Sequence, residues 1–220
     1  MRPATALFAV LLTAAAAAMT GCGAAAQAIA INEYYNQKEG SHTVDAEYRG
    51  LPTKSFVVLV SAPTALQADR PGLTAMVSLR VSADLAEHAG ASGFVPGDRA
   101  AQYQFNHPNW IARPMGDVAK DLGVQRVIHV DFTDYRLREP GNQYVWDGVA
   151  TATVAVYETD TTIPDDPAFQ KIVRVVFPDE KGRTPAEFSE NVVNTELTNR
   201  LSQRTSWLFY SHDEKNALKY

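Results

Sequence analysis

Apolar positions along this chain follow two periods, and the change between them is clearest at residues 115–135. Met115, Val118, Ala119 and Leu122 fall at i, i+3, i+4 and i+7, which places them on one face of a short helix. Gly123 stands where a helix closes its last turn in the left-handed conformation. The β-branched residues Val124, Val127, Ile128 and Val130 then predict a strand. Strand side chains alternate, so Ile128, Val130 and Phe132 point one way and His129, Asp131 and Thr133 the other.

The same periods organise the rest. Residues 55–62 are a nearly continuous valine-rich run, predicting a strand buried on both faces and stopped by Pro63. Leu73, Val77, Val81 and Leu85 recur at four-residue steps and predict a helix over 73–88. Phe94 and Val95 allow a short strand, and residues 100–114 read as a long loop carrying Tyr103, Phe105 and Trp110. A turn signal at 139–142 separates the central strand from a long alternating strand over 144–158. Residues 171–177 give a last strand ended by Pro178. Thr184, Pro185 and Glu187 carry the signature of a capping box, predicting a final helix that buries Val193, Leu197, Leu201 and Leu208. This order predicts an α/β two-layer sandwich: a mixed sheet of about five strands, with about three helices mainly on one face.

The amino-terminal segment has a different pattern. Arg2 precedes an uncharged run from Ala6 to Ala18 that is shorter and richer in alanine than a membrane span, as expected of an export signal. It ends in Thr20, Gly21 and Cys22, and Cys22 is the only cysteine, so it has no internal disulfide partner. These residues resemble a bacterial lipoprotein signal. The resemblance implies cleavage before Cys22, diacylglycerol on its thiol and acylation of the new amino terminus. Together the chains would anchor the protein stably to a membrane. Gly23 and Ala24 follow with no aspartate beside the cysteine, which in this family favours the outer over the inner membrane. The organisation read from the sequence is a signal over 1–21, a lipidated tether over 22–54, a single domain over 55–212 and a tail over 213–220. Ile29, Ile31, Tyr34 and Tyr35 interrupt the polar tether with apolar bulk.

Composition narrows the function classes. At 45% hydrophobic residues the chain is ordinary globular material. Its formal net charge is −5, with no basic stripe, so nucleic acid is excluded as a partner. The sequence has no nucleophile elbow, no phosphate loop and no dinucleotide fingerprint. His129 and Asp131 share a strand face, where a carboxylate beside an imidazole can orient a base or hold a metal, but no third partner is evident. Asp160, Asp165 and Asp166 lack the spacing and glycine of a calcium loop. No catalytic set, metal or cofactor is therefore expected.

The lipoprotein signal, the element order and two phrases complete the reading: residues 117–124 (DVAKDLGV) and 153–157 (TVAVY). Together they resemble the periplasmic α/β domain shared by curli-secretion lipoproteins and the amino-terminal domain of the Tol translocation protein. The long amphipathic hairpins with which curli-type channels build a barrel have no counterpart here. The resemblance implies an envelope assembly or interaction module, anchored by lipid and facing the periplasm, that contacts an envelope protein or a second copy. The last strand is the expected partner-binding edge, through Ile172, Val173, Val175 and Val176. The alternative is a lipid-anchored hydrolase with a dispersed site near His129 and Asp131.

Overall fold

A computed structural model describes residues 40–215; the expected signal, Cys22 and the first part of the tether lie outside them. The elements in chain order are β1 (Ser41–Val44), β2 (Ser55–Ser61), α1 (Thr64–Asp69), α2 (Leu73–His88), β3 (Gly93–Phe94) and α3 (Gly97–Asn106). A 3-10 turn at Trp110–Ala112 leads to α4 (Met115–Leu122), followed by β4 (Arg126–Arg136), β5 (Gly148–Glu158), β6 (Pro167–Phe177), α5 (Glu190–Ser206) and β7 (His212–Lys215). The chain forms two compact units. Of the smaller, the described part is the pairing of β1 with β7, where Thr43 Oγ1 donates to Asp213 Oδ1 at 2.7 Å.

The larger unit, Asp45–His212, holds a five-stranded mixed sheet in the order β3-β2-β4-β5-β6. β2 runs parallel to both β3 and β4, and β4, β5 and β6 are antiparallel. Alternation then sorts the side chains. Val58, Val60, Ile128 and Val130 face a large core closed by Val77, Val81 and Leu85 of α2 and Val193, Leu197 and Leu201 of α5. This is the expected sandwich. Val57, Leu59 and Val127 face the other way and are fully buried against Ala100, Tyr103, Met115 and Val118. A strand apolar on both sides needs two covers, and α3 and α4 supply the second, so the described residues hold five α-helices rather than about three.

Gly123 ends α4 with φ 69°, and the Val124 N–H donates back to the Ala119 carbonyl at 3.0 Å, as that turn requires. The interval 100–114 is not the expected loop. It holds most of α3, whose start is pressed so close to α2 that a Cβ at Gly97 would lie 2.5 Å from the Leu79 Cα. Thr184 does not begin the last helix. The Glu187 carboxylate accepts the Thr184 N–H at 2.8 Å but closes only a turn, and α5 starts at Glu190 with Ser189 as its N-cap. Residues 144–147 precede β5 rather than belonging to it, and β6 starts at Pro167 rather than 171. The compact unit also reaches back into the expected tether. Tyr48 and Leu51 lie in the core, and the Tyr48 ring meets Phe169 and Phe209 at centroid distances of 5.6 and 5.7 Å.

Candidate functional site

Two features bear on function, one at each end of the sheet order. The first begins with the shortness of β3, which pairs only with Ser55 and Phe56. The rest of that edge of β2 has no strand neighbour, and its alternate carbonyls are taken by side chains instead. Ser78 Oγ donates to Val58 O at 2.8 Å, Gln104 Nε2 to Val60 O at 2.8 Å and Gln67 Nε2 to Ala62 O at 2.6 Å. These bonds tie α2, α3 and α1 to β2. From β2 the chain crosses by α2 to β3 on one side and then by α3 and α4 to β4 on the other, with α2 and α3 on opposite faces. Connections that diverge in this way leave a crevice beyond the carboxyl end of the strand. Here it is a cleft of about 590 Å³, with Ser61 and Trp110 among its walls and Phe105 and Ile111 among its exposed residues.

Behind Ser61 lies the pair named from the sequence. The parallel register sets Leu59 beside His129 and Ser61 beside Asp131, so all four share the face covered by α3 and α4. Ser61 Oγ lies 2.8 Å from His129 Nε2 and also donates to Asp131 Oδ1. Trp110 meets the imidazole edge-on at 5.1 Å, and His129 is only 9% exposed. His129 is thus not on an open polar face. Burial pushes its pKa below the ordinary value, against the opposing pull of the Asp131 charge. A serine hydroxyl has one proton; with that proton on Asp131, the bond to His129 requires the Nε2–H tautomer, with imidazole as donor. Ser61 therefore sits between acid and base, and one of its lone pairs remains for a molecule in the cleft. The serine was missed in the sequence because only strand register brings positions 70 residues apart together.

The second feature is β6, the outermost strand of the sheet. The four expected edge residues divide between its faces. Val173 and Val175 are buried in the main core, Val176 is half-buried, and Ile172 is 66% exposed on the opposite face. Lys171 pairs with Glu47 at 2.8 Å, and Arg200 Nη1 donates to the Val176 carbonyl at 3.0 Å. Cys22 lies outside the described residues. The acidic loop does not converge: Asp160 pairs with Lys54 and Arg126, and Asp165 Oδ1 accepts the Gly116 N–H at 2.9 Å. Among the described residues no group of three or more His, Cys, Asp or Glu side chains is placed to hold a metal. No helix among them is long and apolar enough to cross a membrane.

Fold and site define a class: an α/β sandwich with a crevice at a switch point and, among the described residues, β6 as the outermost strand on one side of the sheet. No protein-family model and no curated protein matches the sequence. Solved structures with a similar fold include the PelC dodecamer from Paraburkholderia phytofirmans, 10% identical over 77% of this chain and 96% of that one, with a TM-score of 0.44. Lipoprotein GNA1162 from Neisseria meningitidis is 12% identical over 68% of this chain and 96% of that one, TM-score 0.44. Protein XCC0632 from Xanthomonas campestris is 11% identical over 77% and 90%, TM-score 0.46. The resemblance to curli-secretion and Tol proteins rests on the sequence alone.

Proposed function

We propose that this protein is a lipid-anchored interaction module of the bacterial cell envelope, held by Cys22, facing the periplasm from the outer membrane and catalysing no reaction. Its contact surface is the edge of β6, offered to another envelope protein or to a second copy. The observation that carries this reading is the edge itself: a strand of 11 residues, last in the sheet order, with an exposed isoleucine at its middle. Unpaired strand backbone takes an added strand, and side chains on alternate positions supply selectivity. Lys171 and Arg174 limit indiscriminate pairing at the same edge.

Photocrosslinking in intact cells tests the contact. A benzoylphenylalanine at position 172 should give discrete adducts that the same group at Tyr144, 83% exposed and outside β6, does not give. The same adducts from both positions, or none at 172, would remove the edge from the proposal. The anchor is tested apart from it: Cys22→Ser should abolish labelling by radioactive palmitate and release the chain from membranes.

A hydrolase reading has one observation in its favour, the placing of Ser61 beside His129 at a cleft wall. It requires His129 to receive the serine proton that Asp131 already takes. Labelling by a fluorophosphonate probe that disappears in Ser61→Ala would establish it over the non-catalytic reading.

A further inference from the structure

The cleft beyond β2 has a specific chemical character. Among the described residues that line it none is acidic, basic or a histidine, and they combine neutral hydrogen-bonding groups with apolar ones. Gln67, Thr74 and Gln104 provide amides and a hydroxyl that carry both donors and acceptors, and Ser61 adds an acceptor. Both amides are fixed by bonds from their nitrogens to the carbonyls of Ala62 and Val60, so their orientation is set before any ligand arrives. Ser61 is fixed more firmly still. With its proton committed to Asp131 and one lone pair to His129, it accepts from a ligand hydroxyl but cannot donate to one. At the rim Phe105 is 86% exposed and Ile111 is 50% exposed, an apolar platform left in water.

An ionic ligand would find no counter-charge among these walls, and a purely apolar one would strand four polar side chains. The match is a molecule with hydroxyls around its edge and a C–H face to lie on an aromatic ring. We infer that the cleft at the carboxyl end of β2 binds an uncharged saccharide, its hydroxyls bonded to Ser61, Gln67 and Gln104 and its apolar face on Phe105. The cavity volume suits about one or two sugar rings. This site is separate from the β6 edge, so neither depends on the other.

Saturation-transfer NMR on the full chain with maltose, cellobiose and N,N′-diacetylchitobiose tests it. At least one should bind, with a Kd of about 1 mM, as expected of a few neutral hydrogen bonds and one stacked ring. The affinity should be unchanged by a tenfold rise in salt, because no ion pair forms. Phe105→Ala and Gln104→Ala should each weaken it about tenfold, the loss of a single good contact. Ala101→Trp, which fills the cleft from α3, should abolish it. Failure of all three sugars to bind would overturn the assignment. So would binding that survives in Ala101→Trp protein whose circular dichroism matches the parent.

Discussion

The parallel part of the sheet, β3-β2-β4, and the antiparallel part, β5-β6, differ on their second faces. In the parallel part Val57, Leu59 and Val127 have no exposed surface, because α3 and α4 lie over them. On the same face farther along, Thr151 and Thr153 are half-buried and Ile172 and Arg174 are open to water. The cause is topological. Joining parallel strands requires a crossover, and each crossover brings a helix that covers the sheet; a hairpin brings none. The covered half gains a closed core and, where its crossovers diverge, a cleft. The other half, among the described residues, keeps a more open face and ends the sheet at β6.

The sharpest test of this contrast is Leu59, fully buried on the second face. Leu59→Ala should cost about 2–5 kcal/mol in urea denaturation, through lost burial and the cavity left behind. A cost below about 1 kcal/mol would mean that α3 and α4 do not hold the second face closed, and the contrast would fail.

Arg126 opens β4, where the two halves meet, and is 4% exposed. It donates to the Gly50 carbonyl at 3.1 Å and pairs with Asp160, which also meets Lys54 at 2.7 Å. Arg126→Met should cost about 2 kcal/mol, less than for a fully buried pair because Asp160 still reaches water. Asp160 gives the pH signature. Its bonds from Arg126 and then Lys54 hold the carboxyl down at about 2. A folded-state pKa below the unfolded one contributes stability that is complete above the ordinary carboxylate range and lost as pH falls towards 2. Acid titration of Asp160→Asn should therefore be flatter than the parent between about pH 4 and 2. Identical slopes would show that Asp160 is not held in this way.

The helix covering the first face of the antiparallel half, α5, tests how its start was misread. Ser189 Oγ accepts the Val192 N–H at 3.4 Å, so Ser189→Ala should cost about 0.5–1 kcal/mol. Thr184→Ala, at a turn outside the helix, should cost less, and melting of the two variants side by side decides between them. The reverse order would restore Thr184 as the cap.

Thr184 shows what local pattern can reveal. The reciprocal contact with Glu187 does form, but a turn and a helix start share that contact in their first residues. Patterns that propagate were legible: the valine run of β2, the four-residue steps of α2 and the alternation of β4 all reached the structure because burial repeats along them. α3 was not, since it buries only Gly97, Ala100 and Tyr103 and offers no apolar stripe to read. Behind the cleft, His129 and Asp131 were visible as a pair. Ser61 was not, because which residue of β2 stands beside Asp131 depends on register, a property of two strands rather than one.

The smallest expected effect bears most directly on the open half. Ile172 leaves two-thirds of its surface in water, so its truncation removes little buried area, and Ile172→Ala should change stability by less than about 0.5 kcal/mol. Val175, on the opposite face of the same strand and fully buried, is its control: Val175→Ala should cost about 2 kcal/mol. Together the two variants distinguish an open face from a covered one without disturbing the backbone edge. Urea denaturation of both, repeated at two protein concentrations, adds a further distinction, because a second copy seated on β6 would make the cost of Ile172→Ala rise with concentration. A cost above about 1 kcal/mol in dilute monomer would mean that the chain itself covers Ile172, and the antiparallel half would be as closed as the parallel one.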